Sequence, residues 1–160
     1  MLNIKLICVG KLKEKFYTAA SEEYLKRLTA YAKTEVIEIP EAKRSANPSP
    51  AETDAAMKKE AEKIFEKIPS GASVVAMCIE GTLFSSKDMA ELLSGAALSG
   101  VSKLCFIIGG SDGLHESVKA RASVRMSMSP MTFPHHLARV MLLEQIYRGL
   151  KINEGGKYHK

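Results

Sequence analysis

This chain of 160 residues has only three cysteines, no internal repeat and no apolar run long enough to cross a bilayer. Each absence closes off a class. Cys8, Cys78 and Cys105 lie far apart in apolar strand-like runs without metal-ligand spacing, so they read as buried reduced thiols rather than disulfides or zinc ligands. No metal is expected. The opening MLNIKLICVG has no stretch with the length of a signal-peptide core, and the expected compartment is the cytoplasm, with no membrane partner. Neither G-x-G-x-x-G nor a Walker A sequence occurs, which argues against a nucleotide held through its phosphates. A linker is missing too, and a chain of this size with 46% hydrophobic residues suits one compact domain, residues 1–160.

What is present is a modest positive excess, +5 formally, and its distribution is uneven. From Lys119 to Lys160 eight basic residues face two acids, whereas residues 1–70 carry thirteen basic and eleven acidic side chains. A solvated basic face and contact with RNA or a nucleotide both fit that pattern.

Strand and helix patterns alternate along the chain. Leu2 to Val9 reads as a strand ending at Gly10, and Phe16, Ala20, Tyr24 and Leu28 recur at helical spacing over about Glu14 to Ala32. Val36–Ile39 is a second strand, closed by Pro40; residues 41–50 read as a mobile basic loop, and Ala51 to Ile68 as a solvated helix. Ser73–Ile79 is a central strand ending at Glu80-Gly81. Ser86 is the expected cap of a helix to about Ser99, stopped by Gly100. Leu104–Ile108 is a buried strand running into Gly109-Gly110-Ser111-Asp112-Gly113, and a strand-like segment precedes Ser127–Pro134. This alternation predicts an α/β fold with a mostly parallel sheet and helices on both faces. The last helix, Pro134 to about Leu150, carries apolar residues around most of its circumference, so it is either central in the fold or packed against another subunit, and in a chain this short a homodimer interface is favoured. Residues 151–160 read by default as a frayed end.

Two turn-rich loops at strand ends are the material of a pocket. Gly109–Gly113 also fits the nucleophile-elbow pattern G-x-S-x-G, but the acids between Ser111 and His135 are only Asp112 and Glu116, too close along the chain to complete a hydrolase triad. His135 and His136 point about a quarter-turn apart on a helix and are poorly suited to share a metal; His135 could accept a hydrogen bond or close the pocket.

Taken together, Gly10-Lys11-Leu12, Ile107 to Leu114, Met131-Thr132-Phe133-Pro134-His135 with Arg139-Val140, Glu144 to Arg148, and the terminal Tyr158-His159-Lys160 resemble the RlmH (YbeA) family over the whole chain. These are small SPOUT-class, α/β-knot methyltransferases. The resemblance implies a C-terminal trefoil knot, a homodimer acting on the assembled ribosome, and methyl transfer from S-adenosyl-L-methionine to N3 of a pseudouridine in helix 69 of 23S rRNA. It also implies cofactor contacts at Met77, Gly109 and Met128, Ser129, Pro130, Met131, Thr132 and Phe133. Arg139, Tyr158 and His159 are then expected to complete the active site, Arg139 as cation, His159 as base and Tyr158 by stacking on the target base or hydrogen-bonding to its carbonyl, with the tail reaching across the dimer as one arrangement. A non-catalytic RNA-binding module is the alternative that the basic region alone would support.

Overall fold

The computed structural model describes residues 1–160. In chain order the elements are β1 (Leu2–Val9), α1 (Lys15–Leu28), β2 (Ala32–Ile39), α2 (Pro50–Lys67), β3 (Ser73–Leu83), α3 (Ser86–Leu98), β4 (Lys103–Ile108), α4 (Glu116–Arg121), β5 (Val124–Ser127) and α5 (His135–Asn153). The strands form one sheet in the order β2-β1-β4-β3-β5, and every pairing is parallel.

Alternation along the strands splits the core into two layers, because successive side chains leave a strand on opposite faces. Ile4, Leu6, Leu104, Phe106 and Val75 pack with α1, α3 and α5 on one face. Ile7, Val9, Val74, Cys105 and Ile107 pack with α2 and α4 on the other. The steps β1→β2 and β3→β4 run one way along the sheet beneath α1 and α3, and the steps β2→β3 and β4→β5 run the other way beneath α2 and α4. Reversing direction and face together keeps one crossover hand, as parallel sheets require.

Several boundaries differ from the sequence reading. Helix α1 stops at Leu28, and β2 begins already at Ala32, because its polar Lys33, Thr34 and Glu35 lie on an edge strand paired only with β1. Strand β3 continues through Glu80-Gly81 to Leu83 with a register shift against β5 between Met77 and Thr82. Gly81 permits this, since a Cβ there would lie 2.7 Å from the Arg125 backbone. The cap of α3 is Ser85, not Ser86: its hydroxyl accepts from Asp88 N–H while the Asp88 carboxylate accepts from Ser85 N–H. Residues 41–50 are tied down rather than loose. Glu60, buried in α2, accepts from Ala42 N–H at 2.9 Å and from Arg44 Nη1 at 3.1 Å, and Glu52 accepts from Ser45.

Candidate functional site

The carboxyl ends of β4, β3 and β5 converge, and the loops that follow them enclose a cleft of about 650 Å³. That is within the size range of small-molecule sites. Its apolar wall is made by Met77, Ile108, Leu114, Met126, Met128 and Phe133.

The Gly109–Gly113 loop folds back on itself, with Gly113 N–H donating to Gly110 O at 3.0 Å and Gly113 at φ +81°. A Cβ on Gly109 would stand 2.4 Å from the Gly113 carbonyl carbon, so this glycine is required by the turn itself. The Ser111 hydroxyl donates to Glu41 Oε1 at 3.4 Å and bonds to no imidazole, so the hydrolase arrangement is not built. On the opposite side, Ser127 Oγ donates to Ser129 O and Ser129 Oγ accepts from Met131 N–H. These side-chain bonds shape residues 127–131 while leaving most amides and carbonyls of the loop to a ligand.

Charge in the cleft is sparse and fixed. Glu80, after the bend in β3, pairs with Lys119 of α4, and that hydrogen bond holds its carboxyl below the usual range. Asp112 lies 2.8 Å from Arg44 Nε, although that N–H points at no acceptor and the contact is ionic rather than a directed bond. Burial pushes the Cys78 thiol up and the His135 imidazole down, the latter helped by the adjoining His136. An apolar slot with accessible backbone, whose two carboxylates each already face a cation, suits a flat heteroaromatic group.

Of the residues expected at the cofactor, Met77, Gly109, Met128, Ser129, Met131, Thr132 and Phe133 line this one cleft, and Pro130 does not. Arg139 lies elsewhere. Buried in α5, it donates to Glu38 Oε2 at 2.8 Å and to Gly10 O at 3.0 Å, clamping the ends of β1 and β2. Tyr158 and His159 lie together farther along α5: Tyr158 donates to Glu144 at 3.2 Å and stacks edgewise on Tyr147, and His159 Nδ1 is 3.3 Å from Arg148 Nη1. Within one chain the tail therefore meets Arg148, not Arg139. Arg148 was singled out by no sequence signal beyond the motif containing it, yet its guanidinium also lies 4.7 Å from the Tyr158 ring centre.

Comparison with known proteins decides what this cleft belongs to. The family model described as "Predicted SPOUT methyltransferase" matches residues 2–159. The chain belongs to the SPOUT methyltransferase family. Relatives span its full length: ribosomal RNA large subunit methyltransferase H of Alkaliphilus oremlandii is 48% identical over 159 residues, covering 99% of this chain and 100% of the relative. The proteins of the same name from Bacillus cytotoxicus and Clostridioides difficile are 48% and 46% identical, with the same coverage. In fold the chain is similar to the crystal structure of a methylase family protein from Neisseria gonorrhoeae, with TM-score 0.57, 14% identity, and coverage of 91% of this chain and 82% of that one. As a member of this family the chain is a methyltransferase with a parallel α/β sheet.

Proposed function

We propose that this chain methylates ribosomal RNA of the large subunit with S-adenosyl-L-methionine as donor, at N3 of a pseudouridine in helix 69 of 23S rRNA, as a cytoplasmic homodimer acting on the assembled ribosome. The observation that carries this reading is the full-length likeness at 45–48% identity to large-subunit rRNA methyltransferases, combined with one cleft lined by seven of the eight expected cofactor positions. No helix is long and apolar enough to cross a membrane, which agrees with a ribosomal substrate. The trefoil knot of this class belongs to the same reading, with α5 seated against α1 and α3 after edge strand β5.

The donor supplies an electrophilic methyl group on a sulfonium. Met77, Met128 and Phe133 would form apolar walls for its adenine, and the loop backbone would read the ring edge. What remains for the protein is alignment and one proton. As N3 is methylated it loses its proton to His159, while a cation and the Tyr158 ring hold the base. We assign the cation role to Arg148, which lies beside Tyr158 and His159 and is also paired with Glu144, and read Arg139, held by Glu38 and Gly10, as a positioning residue. An arginine can only donate, so the contact to His159 engages the Nδ1 lone pair. For His159 to act as base its Nδ1 contact to Arg148 has to be given up, which is the step that reaching a partner subunit's cleft would also require.

The test is transfer of labelled methyl to ribosomes from a strain lacking the modification, followed by mass mapping of the rRNA. Methylation at one pseudouridine is expected. Methylation elsewhere, or of free RNA but not ribosomes, would replace the substrate assignment, and failure to bind S-adenosylmethionine by calorimetry would leave the RNA-binding module as the better reading.

A further inference from the structure

We propose that the corner where β1 turns into α1 is an RNA-docking surface that leads structured RNA to the cleft. This rests on the rRNA methyltransferase reading and assigns a route for its substrate. The segment Lys11-Leu12-Lys13-Glu14-Lys15 alternates an anchored residue with exposed cations. Leu12 is half-buried, with its N–H donating to Glu38 Oε2 at 3.0 Å, while Lys11, Lys13 and Lys15 are exposed and join no ion pair. No carboxylate lies within ion-pair distance of any of the three, and the charge of Lys11 is felt at Glu38. Glu14, at the N-cap of α1, makes no side-chain capping bond, and the first turn of that helix has no acid.

Next to the lysines begins a line of rings. Phe16, at the first turn of a helix, is 64% exposed, a large apolar surface that its own chain leaves mostly open. Its ring centre is 4.5 Å from that of Tyr17, Tyr17 is 6.1 Å from His136, and His136 is 4.1 Å from His135, which lines the cleft. Gly10 joins the two features. At φ +95° it turns the chain from β1 directly into Lys11, and a Cβ there would lie 3.5 Å and 3.7 Å from the Nε2 atoms of His135 and His136.

Cations spaced along a surface bind phosphates and release counterions, whereas aromatic faces accept unstacked bases, and their combination at one corner is specific to RNA with a splayed or looped base. The imidazole pair at the inner end then stands where that base passes from the docking surface to the cleft rim.

The test uses the full chain with Lys11, Lys13 and Lys15 all replaced by Gln, a second variant Phe16→Ala, and a control in which Lys58, Lys59 and Lys63 on the exposed side of α2 become Gln. None of these side chains lines the cleft, so calorimetric affinity for S-adenosylmethionine should match the parent in all three. For the triple corner variant KM for ribosomes should rise about tenfold with kcat little changed, and the slope of log KM against log salt should fall by about 2–3. Phe16→Ala should raise KM several-fold without changing the mass in solution. A parent-like KM and salt slope in the corner variant would overturn the proposal, as would an equal rise in the α2 control, which would reduce the effect to net charge. Dissociation of the oligomer by Phe16→Ala would make Phe16 a subunit contact and remove the aromatic part. If the parent methylates no ribosomal RNA, the functional reading fails first, and binding of rRNA fragments by parent and corner variant still reports on the surface by itself.

Discussion

Arg139 and Glu60 are buried to the same degree, 3% exposed, and each meets two partner groups, but only Arg139 keeps a buried donor unpaired. Glu60 is met by a backbone amide and an arginine, whereas Arg139 depends on Glu38 and one carbonyl, with its Nε unbonded. Truncating either end of the Arg139–Glu38 pair is therefore unequal. Glu38→Ala leaves a buried guanidinium without its counter-ion and should cost about 3–5 kcal/mol, while Arg139→Met leaves a carboxylate that still reaches water and the Leu12 amide and should cost less. Urea unfolding of both variants checks the order. Burial opposes ionisation of Glu38, but the hydrogen bonds from Arg139 and Leu12 N–H with the charge of Arg139 outweigh it, and its pKa is lowered. A lowered acid stabilises the fold above its unfolded pKa, about 4.3, and that contribution disappears as pH falls through its folded value. Glu38→Gln should accordingly be less stable than the parent at pH 7, with the gap closing below about pH 4 in urea midpoints. At Gly109 the expectation is steric: Gly109→Ala drives a methyl into the Gly113 carbonyl and should cost about 1–3 kcal/mol together with cofactor affinity. A bulkier residue would act through the same collapse, and a parent-like melting temperature for Gly109→Ala would show that the turn has room.

At the scale of elements, what the sequence made legible follows periodicity, and what it hid depends on partners distant in the chain. β4 and the central part of β3 are uniformly apolar and were readable, because a strand buried on both faces has no polar register. β2 starts four residues early relative to its apolar core because an edge strand needs only one neighbour. Residues 41–50 look like free loop by composition, yet Arg44 bridges Glu60, 16 residues away, and Asp112 in the cleft loop. No local window contains those pairs. The same holds for the tail, whose Tyr158 and His159 were recognisable only through resemblance, since a terminus of Lys, Tyr and His has no periodicity to read. Its contacts with Glu144, Tyr147 and Arg148 make it an addition to α5 outside the cleft. A chain ending at Lys157 should consequently bind S-adenosylmethionine like the parent but lose most methyl transfer to ribosomes. Undiminished turnover would make the tail dispensable, and loss of cofactor binding would place it in the wrong part of the site.

The whole molecule leaves α5 incompletely used. Leu142, Leu143 and Ile146 face the sheet and are buried, but Val140, Met141 and Tyr147 on its outer side are only half-covered by their own chain. Val140 and Met141 border a groove of about 470 Å³ whose other walls include Tyr24, Phe84 and Met128, and Ile79, Leu83 and Met131 stand exposed on the elements that frame the cleft. Apolar side chains are exposed on the end of β3 and the loop after β5 and half-covered on α5, and a two-fold contact through this face would bury them on both copies at once. The same contact would bring one chain's tail, anchored on Glu144 and Arg148 beside the groove, within range of the partner's cleft, and would join two modest basic surfaces into one broad enough for folded RNA. Light scattering at micromolar concentration should therefore give twice the 17.5 kDa of one chain. Met141→Glu, which places a charge in the groove at a residue that does not itself line the cofactor cleft, should shift that mass to the monomer and abolish methyl transfer. A parent that is monomeric at these concentrations with full activity would sink the dimer and with it any transfer of the tail between subunits.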